Sequence, residues 1–333
     1  MQHNIASGCR KITRRTMLGA AATIAAVPAM AEECRVGPPP HHKGPLVFMD
    51  YDQVELDASY DQEVYEPLIG QVVKRLASNS EAVRARIGAP QRVAYGPTEI
   101  EKLDVYRTNL AKAPIFVFIH GGNWLVGSAK DSGYPAEMFV NAGAHYVALD
   151  FTSVKEAGGD LSVMAAQVRR GIAWVYKNAA SFGGDPDRVL GGFSSGGHLC
   201  GVALVTDWQR QFSLPDNTVK GGLCMSGMYE MVPVQLSWRR TYVNFTEAMA
   251  DAMSSQRHID KLSAPIMVTY GTFETPDFQR QSRDFAAAVK AAGKPVQLIE
   301  TPNYAHVEMA ESLGNPYGPN GRAALALMKL SPS

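Results

Sequence analysis

From residue 114 onward the chain alternates short apolar runs with amphipathic stretches, and this alternation constrains the fold more than any other feature. PIFVFIH, HYVALDF, RVLGGF, KGGLCMSG, APIMVTYG and PVQLIE each have the length and composition of a buried strand. Between them lie stretches such as 163–180, where Met164, Val168, Ile172 and Val175 share one helical face. Strands alternating with helices predict an α/β protein: a mostly parallel central sheet flanked by helices. RVAYG and KLDVYRT predict an opening strand pair, and residues 61–87 a helix with Val64, Leu68, Val72, Val73 and Leu76 at helical spacing. Residues 228–262 lack strand patterning and carry Trp238, Tyr242 and Phe245, which predicts a small helical cap inserted over one end of the sheet. No internal repeat is visible.

The N-terminus reads differently. Arg10, Lys11, Arg14 and Arg15 precede an apolar stretch from Met17 to Val27, and Ala29-Met30-Ala31 follows with small residues where a signal peptidase reads. Residues 1–31 are therefore expected to be an export signal, and the Arg14-Arg15 pair resembles the twin-arginine type. Its apolar run is too short to span a bilayer. The expected mature protein is periplasmic or secreted, without stable membrane insertion. Residues 32–60 are expected to be an extended leader, since GPPPHHKGP disfavours helix, and the folded domain to span 61–333. His41 and His42, adjacent in a loop, read as solvated side chains.

Apolar residues make up 46% of the 333, enough for a large core, and 32 basic residues balance 32 acidic ones. With no basic stripe or charge run, a nucleic-acid partner is excluded. Cys34, Cys200 and Cys224 would survive signal removal; an odd number without framework spacing predicts buried thiols, with a Cys200–Cys224 bridge left open. There is no H-E-x-x-H, no Cys-x-x-Cys, and GNWLVGSAK has serine where a phosphate loop has lysine, so no metal or other cofactor is expected. The sequence also leaves a homodimer open.

The chemistry concentrates in GGFSSGG, residues 191–197. Gly192-Phe193-Ser194-Ser195-Gly196 matches G-x-S-x-G, with a strand pattern running in and a helix-compatible stretch running out. That context predicts a sharp strand-to-helix elbow exposing the Ser194 hydroxyl at the sheet edge, with the Ser195 N–H aimed at a developing oxyanion. A serine hydroxyl needs a base. Of the downstream histidines, His198 is too close in sequence to turn back, His258 lies among charged residues, and His306 follows a strand in TPNYAHVE, which makes it the expected base. The acid is expected in the loop after APIMVTYG. Thr275-Pro276 reads as a helix start, which gives Asp277 a structural place in the first turn and leaves Glu274 free to orient His306, with Asp277 the alternative. The loop HGGNW supplies Gly121 and Gly122 as further oxyanion donors, with Asn123 an additional possibility and His120 as a brace. Trp124, Phe273 and Trp238 are expected to shape the substrate pocket, and Arg239 and Arg240 to lie on a solvated helix face.

HGGNW, SFGGDPDRVLGGFSSGGHL, GTFETPDFQRQS and NYAHVE resemble the arylformamidase (kynurenine formamidase-like) branch of the α/β-hydrolases, and LDASY and AYGPTEIEKLDVY extend the likeness over roughly residues 55–330. The resemblance implies the α/β-hydrolase fold, with Ser194 as nucleophile, Glu274 as acid and His306 as base. In two respects the chain departs from the pattern: the acid is commonly aspartate, and an export signal does not suit tryptophan breakdown inside a cell. Similar loops and elbows recur among bacterial carboxylesterases. The expected activity is cleavage of a small carboxylic ester through an acyl-enzyme, with hydrolysis of an N-formyl aryl amide as the alternative.

Overall fold

The short apolar runs of the sequence become strands of one eight-stranded sheet in the computed structural model, which describes residues 36–332. The export signal expected at residues 1–31 lies outside the described residues, as does Cys34. A ribbon of β1 (Leu46–Phe48) and β2 (Tyr51–Asp52) precedes the sheet. The sheet strands are β3 (Gln91–Ala94), β4 (Lys102–Tyr106), β5 (Ala113–Ile119), β6 (His145–Leu149), β7 (Gly184–Phe193), β8 (Gly221–Met225), β9 (Ile266–Gly271) and β10 (Val296–Thr301). Their order is β10-β9-β8-β7-β5-β6-β4-β3. All pairings among β5 to β10 are parallel, while β3 and β4 join antiparallel at one edge.

The alternation along β5 divides the core. Ile115, Val117 and Ile119 enter one apolar layer, Phe116 and Phe118 the other. The first layer packs under α4 (Leu161–Asn178), α5 (Ser195–Leu204) and α9 (Pro276–Ala291). The second packs under α2 (Ile69–Ile87), α3 (Ala136–Asn141), α10 (His306–Glu311) and α11 (Pro319–Leu327). Short helices α1 (Gln53–Ser59) and α6 (Trp208–Phe212) complete the surface on the first side. Among the described residues no helix is long and apolar enough to cross a membrane. Cys200 and Cys224 are buried and unbridged.

Three boundaries differ from the sequence expectation. The leader is not extended to residue 60: Asp52 caps α1, accepting from the Glu55 N–H while Glu55 accepts in return from the Asp52 N–H, and this reciprocal pair starts a helix at Gln53. The helix expected from 61 begins at Ile69, after a 3-10 turn at Gln62–Val64, because Pro67 disfavours helical backbone at Glu66. The 228–262 segment contains α7 (Val232–Leu236), α8 (Glu247–Met253) and 3-10 turns, but packs its apolar residues against the α4, α5 and α9 layer. Within it Arg239 is fully buried, a correction to the expected solvated face, while Arg240 is exposed.

Candidate active site

The loops leaving β5, β7, β9 and β10 meet at one edge of the sheet. Ser194 ends β7 and precedes α5 with φ 57° and ψ −122°, a backbone conformation that costs a non-glycine residue about 1–3 kcal/mol. Its N–H donates to the Met225 carbonyl at 2.9 Å, and its carbonyl accepts from the His198 N–H at 2.9 Å, which hold the bend. The flanking glycines are required by contact. A Cβ on Gly192 would stand 2.1 Å from the Gly196 carbonyl oxygen, and one on Gly196 2.1 Å from that of Ile119.

His306, the first residue of α10, places Nε2 2.8 Å from Ser194 Oγ and Nδ1 2.9 Å from Glu274 Oε2. The other Glu274 oxygen accepts from Ser226 Oγ at 2.6 Å and from the Gly271 N–H at 2.7 Å. A carboxylate at Nδ1 favours the proton there and leaves the Nε2 lone pair facing the serine hydroxyl. Phe193 and Phe278 flank the imidazole, with ring centroids 4.7 and 5.1 Å away, and all three polar residues are buried. Asp277, also buried, meets different partners: it accepts from the Tyr60 hydroxyl and, at 2.7 Å, from Arg280 Nε. Of the two acids that the sequence leaves open, Glu274 is therefore the one at the histidine.

The loop after β5 lies against the elbow: a Cβ on Gly121 would be 3.1 Å from the Ser194 Cβ. The N–H groups of Gly121 and Gly122 donate to no other described residue, and Ser195, as the first residue of α5, has no carbonyl one turn earlier. Asn123 Oδ1 accepts from Arg239 Nη2 at 2.9 Å, so its side chain is engaged in holding the loop. His120 stacks on Phe151 at 4.3 Å and meets the Gly121 carbonyl at 2.8 Å; burial lowers its proton affinity. Of the other histidines, His198 is buried with Nε2 on the Met253 carbonyl at 3.0 Å, and burial lowers its pKa to about 4. His258 lies in the insertion, with Nε2 on the Asp251 carbonyl at 2.9 Å.

A cavity of about 540 Å³ opens beside Ser194, His306, Gly121 and Gly122. Its walls correct the expected pocket residues, none of which lines it. Trp124 is buried, because left-handed backbone at Asn123 and Trp124 turns the indole into the core, where it donates to His198 Nδ1 at 3.2 Å. Phe273 is 54% exposed, and Trp238 lines a separate groove with Pro38 and Pro39. The wall is built instead from the N-terminal segment, with Gln62, Val73 and Leu76, and from Val126 in the loop after β5. Nor does any residue of the 228–262 insertion line it. A second residue missed in the sequence is Glu66, whose Oε2 accepts from the Val307 N–H at 2.9 Å, next to His306. The exposed apolar side of α2 at Val73 is the one available signal, since Val72 already supplies the buried face.

Among the described residues the grouping that offers metal ligands is His41, before β1, with Asp52 at the end of β2 and Glu55 in α1; Asp52 caps α1, and Glu55 also pairs with Lys43.

The parallel sheet, the serine on the turn after a central strand, and the acid and histidine on later loops define the α/β-hydrolase class. The BD-FAE family model matches residues 103–227. Kynurenine formamidase of Danio rerio is 29% identical over 272 residues, covering 78% of this chain and 90% of its own. Esterase LipQ of Mycobacterium tuberculosis is 27% identical over 238 residues, covering 64% of this chain and 56% of its own. A Silicibacter sp. TM1040 structure described as a candidate thioesterase superposes with a TM-score of 0.72 at 20% identity, over 83% of this chain and 99% of that one. These likenesses support a place in the arylformamidase and esterase branch of the α/β-hydrolase superfamily and a hydrolase activity.

Proposed function

We propose that this protein is a serine carboxylesterase acting on small esters. Ser194 Oγ attacks the ester carbonyl carbon as its proton passes to His306 Nε2, while Glu274 holds the imidazole and balances the imidazolium. The carbonyl oxygen becomes an oxyanion facing the N–H groups of Gly121, Gly122 and Ser195. His306 then gives the proton to the leaving alkoxide, and the C–O bond breaks to leave an acyl-Ser194. Water attacks the acyl carbon, gives a proton to His306, and the serine recovers it as the acid departs. The observation that carries this reading is the continuous 2.8 and 2.9 Å chain from Ser194 through His306 to Glu274. Hydrolysis of a short-chain nitrophenyl ester tests it: Ser194→Ala should fall by about 10³-fold or more, whereas Ser195→Ala keeps its backbone donor and most activity. Equal losses in both variants would sink the assignment.

The likeness to kynurenine formamidase favours a second reading, in which the same groups cleave an N-formyl aryl amide. Here His306 must protonate an amine rather than an alcohol. The ratio of kcat/KM for N-formylkynurenine to that for an aryl ester separates the two readings.

A further inference from the structure

Two neighbouring strands each end in a serine with left-handed backbone. After β7 it is Ser194, with φ 57°; after β8 it is Ser226, with φ 49°, fully buried. That region favours glycine over serine, so a serine kept there points to work for its side chain.

The turn after β8 touches the proposed catalytic chain at both ends. The Met225 carbonyl accepts from the Ser194 N–H at 2.9 Å, and the next hydroxyl, Ser226 Oγ, donates to Glu274 Oε1 at 2.6 Å. The backbone beneath that hydroxyl is pinned, because the Ser226 N–H donates to the Thr269 carbonyl on β9 at 2.8 Å. Two residues further along β9, the Gly271 N–H donates to the same Glu274 oxygen at 2.7 Å. Donors from two adjacent strand ends thus hold Oε1, and Oε2 is left to meet His306 Nδ1 at 2.9 Å. A glutamate has one more rotatable bond than an aspartate, and so more freedom to lose before it can orient an imidazole.

We infer that Ser226 is a positioning residue acting through Glu274: its hydroxyl fixes one carboxylate oxygen so that the other is aimed at His306. The inference rests on the ester-hydrolase reading above. Ser226 does not line the cavity beside Ser194, so its effect falls on turnover rather than on substrate binding.

Two substitutions separate this role from a merely structural one. Ser226→Ala removes the hydroxyl and keeps the left-handed turn under strain, whereas Ser226→Gly removes both. On a short-chain nitrophenyl ester each should lower kcat by about ten-fold, the low end of what a hydrogen bond to a charged group is worth, with KM within about two-fold. Ser226→Gly should nevertheless melt at a higher temperature than Ser226→Ala, because glycine adopts this backbone with less strain. In a Glu274→Ala background, adding Ser226→Ala should change kcat by less than about two-fold, since the group it acts through is gone. Near-wild-type kcat in either single variant, a kcat that follows the melting temperature, or the full loss repeated in the Glu274→Ala background overturns the inference. The proton that His306 Nδ1 shares with Glu274 supplies a readout without substrate. Its far-downfield NMR resonance should move upfield or broaden away in both variants; its absence from the wild-type chain, or its persistence unchanged in both, counts equally against the inference. If the wild-type chain hydrolyses no ester, the ester-hydrolase reading fails, and this resonance still decides the role of Ser226.

Discussion

Glu274 and Asp277 are three residues apart and both buried, yet what each oxygen meets gives them different work. Glu274 faces His306, Ser226 and the Gly271 N–H; Asp277 faces Tyr60 and Arg280. Glu274→Gln should therefore lower kcat by about 10²–10⁴-fold with little change in thermal midpoint. Asp277→Asn should do the opposite, keeping most of the activity while losing about 3–5 kcal/mol of stability as Arg280 is left without its buried partner. A larger loss of kcat in Asp277→Asn would exchange the two roles. This division was partly legible beforehand, because Thr275-Pro276 fixes a helix start and therefore a first-turn position for Asp277. The Tyr60 partnership was not legible, since it joins positions more than two hundred residues apart. His198 supports a pH prediction at the same scale. Burial holds its folded pKa near 4, below the ordinary value of 6.5, so the unfolded chain takes up the proton first as pH falls. Stability should decline between pH 6.5 and 4 by up to about 1.4 kcal/mol per unit. His198→Gln should flatten that part of the curve in pH-dependent denaturant titrations; an unchanged slope would contradict the account.

At the level of elements, the segment from Tyr60 to Leu76 does the work expected of the 228–262 insertion. It supplies the cavity wall through Gln62, Val73 and Leu76, and Glu66 steadies the first turn of α10. The strands could be read in advance because a strand covered on both faces is a short continuous apolar run, and α4 because its 3.6-residue period is set by local geometry. What α2 covers could not, because an apolar stripe shows that a face is covered without showing by what. Glu66 likewise left no mark in the sequence beyond its position before Pro67. Burial raises its pKa, so between its unfolded and folded values the native state holds the proton more tightly, and stability falls as pH rises through that window. Glu66→Gln keeps an acceptor for the Val307 N–H and removes the titration. Its thermal midpoint relative to wild type should improve from pH 4 to pH 8, whereas a constant difference would show that the carboxyl does not titrate in this range. Glu66→Ala removes the acceptor and should lower kcat more than it changes KM.

Across the whole molecule, Arg239 ties together parts of the chain that are far apart in sequence. From the insertion it donates to the Tyr60 carbonyl at 3.2 Å, to Asn123 Oδ1 at 2.9 Å and to the Tyr242 hydroxyl at 3.1 Å. Tyr60, Trp124 and Trp238 lie within 5.8 Å of its guanidinium as ring neighbours. No carboxylate pairs with it among the described residues, so aromatic faces and neutral acceptors carry the buried cation. Arg239→Met should keep much of the packing but release the loop after β5, lowering kcat for esters by about ten-fold or more. Full activity in a folded Arg239→Met protein would show that Asn123 needs no restraint.

Part of the cavity wall, from Gln62 to Leu76, comes from a stretch of chain well before Ser194, Glu274 and His306, the residues that do the proposed chemistry. Apart from Glu66, which holds the Val307 N–H, this stretch can therefore vary without disturbing the strained serine turn or the histidine loop, much as a lock can be rekeyed without replacing its bolt. Transplanting a relative's version of this short stretch, with Glu66 retained, should transfer that relative's substrate preference while leaving the rate on a plain phenyl ester within about ten-fold. Loss of all turnover in a well-folded chimera would show that recognition and catalysis are more tightly interlocked than this arrangement implies.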